Sequence, residues 1–183
     1  MIKFIWAIRA ILYKISFKKI GFMTYIGKPC FIKGRNRISI GNKTRIFPGL
    51  RIEALEKGEI NIGDNCAIEQ NVHIISMNRN LVIGENSTIS SNVFISNVDH
   101  EYEDINKSVM DQSLIPKDTS IAEGCFIGFG SAILPGSHLG KHCVVGSNSI
   151  VKGDYPDYSV IAGNPARIIK IYDKKTKMWR REL

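Results

Sequence analysis

At 183 residues with 44% hydrophobic content, the chain suits a single domain with a real core. Its formal charge of +8 and pI near 9.4 predict attraction to anions. No helix-turn-helix, RNP or zinc-finger pattern accompanies the charge, which excludes nucleic acid and leaves a phosphate-bearing cofactor or an anionic membrane surface to account for it.

Residues 1–20 are apolar with Lys3, Arg9, Lys14, Lys18 and Lys19 spread among them. The uncharged runs are too short to span a bilayer, and no small-residue cleavage site marks a secretory signal. A helix is expected. Two readings stand: an interfacial helix lying on anionic lipid through Phe4, Trp6 and the lysines, or a helix packed on the rest of the chain or on a neighbouring subunit.

From Ile26-Gly27 the chain repeats every six residues. Branched aliphatics fall at Ile40, Ile46 and Ile52, then Ile62, Ile68 and Ile74, then Ile83, Ile89 and Ile95. Slips at 53–59 and 78–80 reset the register. After a break the run Ile121, Ile127, Ile133, Leu139, Val145, Val151 continues in phase. Four residues after each of the first five aliphatics of this last run sits a small side chain: Cys125, Ser131, Ser137, Cys143 and Ser149. A period of six fits neither a helix nor a simple strand alternation. It fits one flat strand and one corner per repeat, three repeats closing a triangular coil and about five coils stacking as a parallel β-helix. The expected fold is therefore all-β: an N-terminal helix over 1–20, a β-helix over 21–153 with one loop at 98–119, and a C-terminal part over 154–183.

Cys30, Cys66, Cys125 and Cys143 each lie four residues after an inward aliphatic. All four are expected to fill the small corner slot as reduced, compact apolar residues. His138 and His142 have an H-x3-H spacing without a third ligand, so no metal is expected; these two and His73 read as surface residues. His100 differs because it stands at the root of the one long insertion, NVDHEYEDINKSVMDQSLIPKD, which is acidic in a basic chain. Past Gly153-Asp154-Tyr155-Pro156 the repeat ends. A last extended piece at 158–161, the turn Gly163-Asn164-Pro165-Ala166, a strand at 167–173 and a short terminal helix carrying Trp179 are expected.

The run 92–100, NVFISNVDH, resembles without a gap the segment of galactoside and maltose acetyltransferases that ends in their catalytic histidine. CFIGFGSAILPGSHLGKHCVVGSNSIVKGDYPDYSVIAGNPARIIK is similar to the coenzyme A-binding half of the same hexapeptide-repeat acyltransferase superfamily. The resemblance covers residues 20–183, and it implies a left-handed coil, acetyl-CoA as donor and a homotrimer. It also implies site roles. His100 is the general base that takes the acceptor hydroxyl proton. Phe129 and Ser147 offer backbone amides to the pantetheine arm. Arg167 and Lys170, joined by Lys152, hold the cofactor's phosphates, and Phe126 stands where the family usually has Trp near the thioester. Glu69 occupies the position of the acceptor-binding Asn, with Asn71 and Asp99 completing the expected acceptor set; a carboxylate there accepts where an amide would also donate.

The tail KIYDKKTKMW and the cationic start look most like O-acetyltransferases of bacterial O-antigen and capsule synthesis. The resulting expectation is transfer of acetyl to a sugar hydroxyl of a surface-polysaccharide precursor, directly, since no Ser or Cys sits in a nucleophile motif with His100. Such an enzyme works in the cytoplasm, at the inner face of the membrane if the first helix is interfacial and the acceptor lipid-linked. Rival readings are an acetyltransferase for a small soluble acceptor (a free sugar or antibiotic) and a non-catalytic β-helix scaffold.

Overall fold

The computed structural model describes residues 2–181; Met1, Glu182 and Leu183, the outer ends of the expected terminal segments, lie outside the described residues. Three parallel sheets form the faces of a prism. The first face stacks Lys19–Ile20, Ile38–Ile40, Glu59–Ile62, Asn80–Ile83, Thr119–Ile121, His138–Leu139 and Asp154–Tyr155. The second stacks Tyr25–Ile26, Arg45–Ile46, Ala67–Ile68, Thr88–Ile89, Phe126–Ile127, Val144–Val145 and Ser159–Gly163. The third stacks Phe31–Lys33, Arg51–Leu55, His73–Met77, Phe94–Ser96, Ala132–Ile133 and Ile150–Val151. These strands make six complete coils and two faces of a seventh, more than the five expected, because the stack starts at Lys19 and runs on through Gly163.

Most inward positions are aliphatics in register with their equivalents one coil away. On the second face the column is Ile26, Ile46, Ile68, Ile89, Ile127, Val145 and Ile161. All are buried, and burying each such side chain stabilises by about 1.5–3 kcal/mol. The first corner, between first and second faces, explains the small slot. Its occupant donates to a carbonyl of the next coil: Thr24 Oγ1 to Gly41 O (2.6 Å), Thr44 Oγ1 to Gly63 O (2.9 Å), Cys66 Sγ to Gly84 O (3.2 Å), Ser87 Oγ to Ala122 O (3.2 Å), Cys125 Sγ to Gly140 O (3.2 Å) and Cys143 Sγ to Pro156 O (3.2 Å). The slot therefore selects a small donor, and the three thiols work as weak hydroxyl substitutes. Cys30 departs from the expectation. It is exposed, since it sits at the second corner of the terminal coil, where no further coil stacks beneath it.

The helix Ile2–Tyr13 (α1) lies across the open N-terminal end. Ala10 is buried, Trp6 packs on Tyr25 and Phe47 (centroids 5.9 and 5.7 Å), and Arg9 Nη1 donates to Ile26 O at 2.8 Å. At the other end Tyr155 closes the core, its hydroxyl donating to Ala166 O at 3.1 Å. The tail corrects a second expectation. Instead of a terminal helix, Ala166–Asp173 and Met178–Arg181 form an antiparallel extension of the second face. The Asp173 carboxylate accepts from the amides of Lys175 and Thr176 and so turns the chain back. The paired edge then captures Met178–Arg181, with Tyr172 opposite Trp179.

Candidate active site

The long insertion leaves the third corner of the fourth coil as a β-hairpin, Val98–His100 antiparallel to Leu114–Pro116, with His100 opposite Leu114. Its root is tied down at several points. Asn97 is fully buried; its Oδ1 accepts from Met77 N (2.8 Å), its Nδ2 donates to Ser76 Oγ (2.9 Å), and its carbonyl accepts from Lys117 N (2.7 Å). Val98 N donates to Ser96 Oγ (3.0 Å). Arg79, from the coil before, grips the returning strand through Asp118 (3.0 Å) and Pro116 O (3.3 Å). Further out, Gln112 bridges both backbone groups of Asp104, whose carboxyl is held below its usual range chiefly by Lys107 at 3.0 Å. The loop is thus a compact, self-tied unit carried on a fixed stem.

His100 is exposed, and its imidazole has no hydrogen-bond partner among the described residues. Asp99 is engaged elsewhere: Oδ1 accepts from the His100 amide (3.0 Å) and Oδ2 lies 3.9 Å from Lys117 Nζ. It does not orient the ring.

Most of the other expected site residues gather at the second corner or on the second face beside it. Phe129 and Ser147 stack there in the fifth and sixth coils, linked by Asn148 N donating to Phe129 O (2.8 Å). Neighbouring amides of Gly128, Gly130 and Gly146 are bonded within the stack, whereas those of Phe129 and Ser147 have no partner among the described residues. The Gly163–Ala166 turn ends at this corner, where Gly163 N donates to Ser149 Oγ (3.1 Å), and Arg167 emerges exposed beside it. Phe126 and Lys170 share one outward column of the second face, separated by Val144 and Val160.

Glu69 and Asn71 also lie at the second corner, two coils earlier. Glu69 Oε2 accepts from Ser91 N (3.2 Å) and Ser91 Oγ (3.1 Å), and Asn71 sits in the left-handed turn position with its side chain over Gly49. Lys152 is set apart, at the third corner above the histidine's hairpin. The structure therefore brings Phe126, Phe129, Ser147, Arg167 and Lys170 into one band and leaves His100 and Lys152 a full face away.

Between the two corners, the third face carries an outward column of Phe31, Arg51, His73 and Phe94 leading toward the hairpin. Buried Glu53 anchors it: its Oε1 lies 2.6 Å from Arg51 Nε and 3.4 Å from His73 Nε2. His73 packs edge-on against Phe94 at 5.3 Å, and burial pushes its pKa down, opposed by Glu53. Sequence reading treated Glu53 as part of a slip and His73 as surface. The missed signal was an Arg-x-Glu pair one coil before an outward histidine. His138 and His142 serve the stack: Nδ1 of His138 is 3.0 Å from Ser120 Oγ, and His142 stacks on Tyr158 at 5.4 Å.

Residues 118–153 match the family model for bacterial transferase hexapeptide (six repeats). WbbJ of Escherichia coli, named as a lipopolysaccharide biosynthesis O-acetyl transferase, is 36% identical over 162 residues, 84% of this chain and 81% of its own. The dTDP-4-amino-4,6-dideoxy-D-glucose acyltransferase of Escherichia coli is 31% identical over 172 residues, 90% of this chain and 87% of its own. Among solved structures, AntD, an N-acyltransferase from Bacillus cereus in complex with dTDP and 3-hydroxybutyryl-CoA, superposes with a TM-score of 0.77 at 23% identity, over 92% of this chain and 90% of that one. A galactoside acetyltransferase in complex with coenzyme A does so at 0.60, also 23% identical, over 95% and 74%. The stacked coils are thus the left-handed β-helix of these enzymes, and the chain belongs to the hexapeptide-repeat acyltransferase family.

Proposed function

We propose that this protein transfers an acetyl group from acetyl-CoA to a sugar hydroxyl of a surface-polysaccharide precursor, O-antigen or capsule, with His100 as general base. The observation that carries the reading is the His100 hairpin, whose stem is fixed by Asn97 while the imidazole stays unpaired. In the step, the imidazole takes the hydroxyl proton as the oxygen attacks the thioester carbonyl; the C–S bond breaks and the leaving thiolate is reprotonated. The free amides of Phe129 and Ser147 hold the pantetheine arm, and Arg167, with Lys170, meets the phosphates, while Lys152 stands a full face away from them.

The working form is a homotrimer in the cytoplasm. Its support is geometric. The cofactor band and His100 lie at different corners of one chain, so the second corner of one copy and the third corner of another make a complete site. The exposed Tyr102, Ile105 and Met110 at the loop tip offer apolar surface to such a neighbour. Relationship to WbbJ over four fifths of its length favours the polysaccharide acceptor. A second reading, acylation of a nucleotide-linked amino sugar, is favoured by the dTDP-sugar relative. Release of free thiol from acetyl-CoA, measured with lipid-linked oligosaccharides, free sugars and dTDP-amino sugars in parallel, separates them. Turnover with the dTDP-amino sugar alone would replace the first reading by the second.

A further inference from the structure

The N-terminal end of the prism carries a surface that the acetyl-transfer site does not use. The inner side of α1 is occupied by Trp6, Arg9 and Ala10 against the first coil. Its outer side is apolar as well: Phe4, Ile5, Ile8, Ile11 and Leu12 are exposed, and Ile15 just beyond is 90% exposed. At 100° per residue the five in the helix fall within an arc of about 120° bordered by Lys3, and Lys14 and Ile15 follow in the turn after it. Phe22, 71% exposed, extends the patch from the first corner of the first coil. A helix on a water-facing surface carries polar residues on its outer side. One apolar on both sides is covered by something.

Charge identifies the cover. No Asp or Glu occurs before Glu53, while residues 1–52 hold 12 of the 25 lysines and arginines; the remaining 131 residues hold 13 cations against 17 acids. The whole positive excess therefore sits on the helix and the first two coils. Two copies meeting through this end would set cation against cation. An anionic bilayer complements both the charge and the apolar arc. The helix lies on such a surface rather than crossing it: its 12 residues span about 18 Å against a hydrocarbon core of roughly 30 Å.

We propose that α1 and the first coil dock this protein on an anionic lipid surface, with Phe4, Ile8, Ile11, Leu12, Ile15 and Phe22 entering the headgroup region and Lys3 and Lys14 meeting lipid phosphates. Trp6, by contrast, stays on the protein side. His100, three coils up, then stands about 14 Å from the docked end, within reach of the first sugars of a lipid-anchored acceptor. The docking itself is read without any acceptor, so its failure and the failure of the acetyl-transfer reading are separate results.

The test is co-sedimentation of the full chain with vesicles. Vesicles of equal parts phosphatidylglycerol and phosphatidylcholine should bind the protein, and phosphatidylcholine vesicles should not. Lys3→Gln and Lys14→Gln should each weaken binding about fivefold. Ile8→Ser with Leu12→Ser, at exposed positions and with an unchanged thermal melt, should weaken it at least about tenfold. Met178→Ser, on the exposed terminal strand at the opposite end, should change nothing. Equal binding to both vesicle types, or no binding, overturns the proposal. So does a fall in light-scattering mass for the helix variants with vesicle binding intact, which would make the face a contact for the acidic loop of a second copy.

Discussion

Asn97 holds the strand that carries His100 by reaching back one coil, its Oδ1 accepting from the Met77 amide at 2.8 Å inside the protein. The same side chain donates to Ser76 Oγ, so one amide satisfies two buried groups of the preceding strand. Removing it strands the Met77 amide and leaves Ser76 Oγ only its bond to Arg79 O. Asn97→Ala should cost about 3 kcal/mol in urea unfolding and lower the rate of transfer more than the affinity for acetyl-CoA. An unchanged rate in a destabilised variant would mean that the hairpin does not need this anchor to place His100.

His73 should make folding sensitive to acid. Burial lowers its pKa in the fold, against the pull of Glu53 at 3.4 Å. The unfolded chain therefore binds the proton more tightly, and stability rises with pH. This contribution is complete above the ordinary imidazole range and is lost as pH falls through it. The melting temperature of the wild type should drop more steeply than that of His73→Gln between about pH 7 and pH 5. Parallel curves would show that protonating His73 is not linked to unfolding.

The inward aliphatics were legible because each repeats locally and alone: Ile62, Ile68 and Ile74 announce three faces in 13 residues. The corner slot was half legible. Its size could be read from Cys66 and Ser87, but its role as a donor depends on a carbonyl one coil, and some 18 to 35 residues, away. Cys30 shares the spacing of the other cysteines but stands on the end coil and at the second corner rather than the first. The terminal strand was illegible for a similar reason: Met178–Arg181 is extended because Ala166–Asp173 offers it an edge, not because of its own residues. The position of His100 at the root of the hairpin was legible from the break in the repeat. Glu53, which ties Arg51 to His73, lay inside a stretch whose register no periodicity could assign.

Arg167 emerges at the corner that holds Ser147, and Lys170 faces outward in the column of Phe126. If they meet the 3′-phosphate, Arg167→Ala and Lys170→Ala should weaken acetyl-CoA binding more than dephospho-CoA binding, by about tenfold for the arginine, the usual scale of one charge-assisted hydrogen-bonded contact. Calorimetric titration with both ligands reads the difference directly. Equal losses would place the two cations away from that phosphate.

His100→Ala should lose roughly 10²–10⁴-fold in acetyl transfer, the share of a general base, while acetyl-CoA binds nearly as before. The separation follows from the geometry: the imidazole stands on the third corner, and the amides of Phe129 and Ser147 stand on the second. Asp99 is engaged with Lys117 and the His100 amide, so Asp99→Asn should cost far less than His100→Ala; a base that needed Asp99 to fix its tautomer would lose comparably in both. The free thiols at Cys66, Cys125 and Cys143 are buried and occupied as donors to backbone carbonyls, which leaves them no part as acyl acceptors. Hydroxylamine added during turnover should accordingly release no acetyl hydroxamate from the protein. Wild-type turnover in the alanine variant, or a trapped acetyl-enzyme, would remove His100 as the base in a direct transfer.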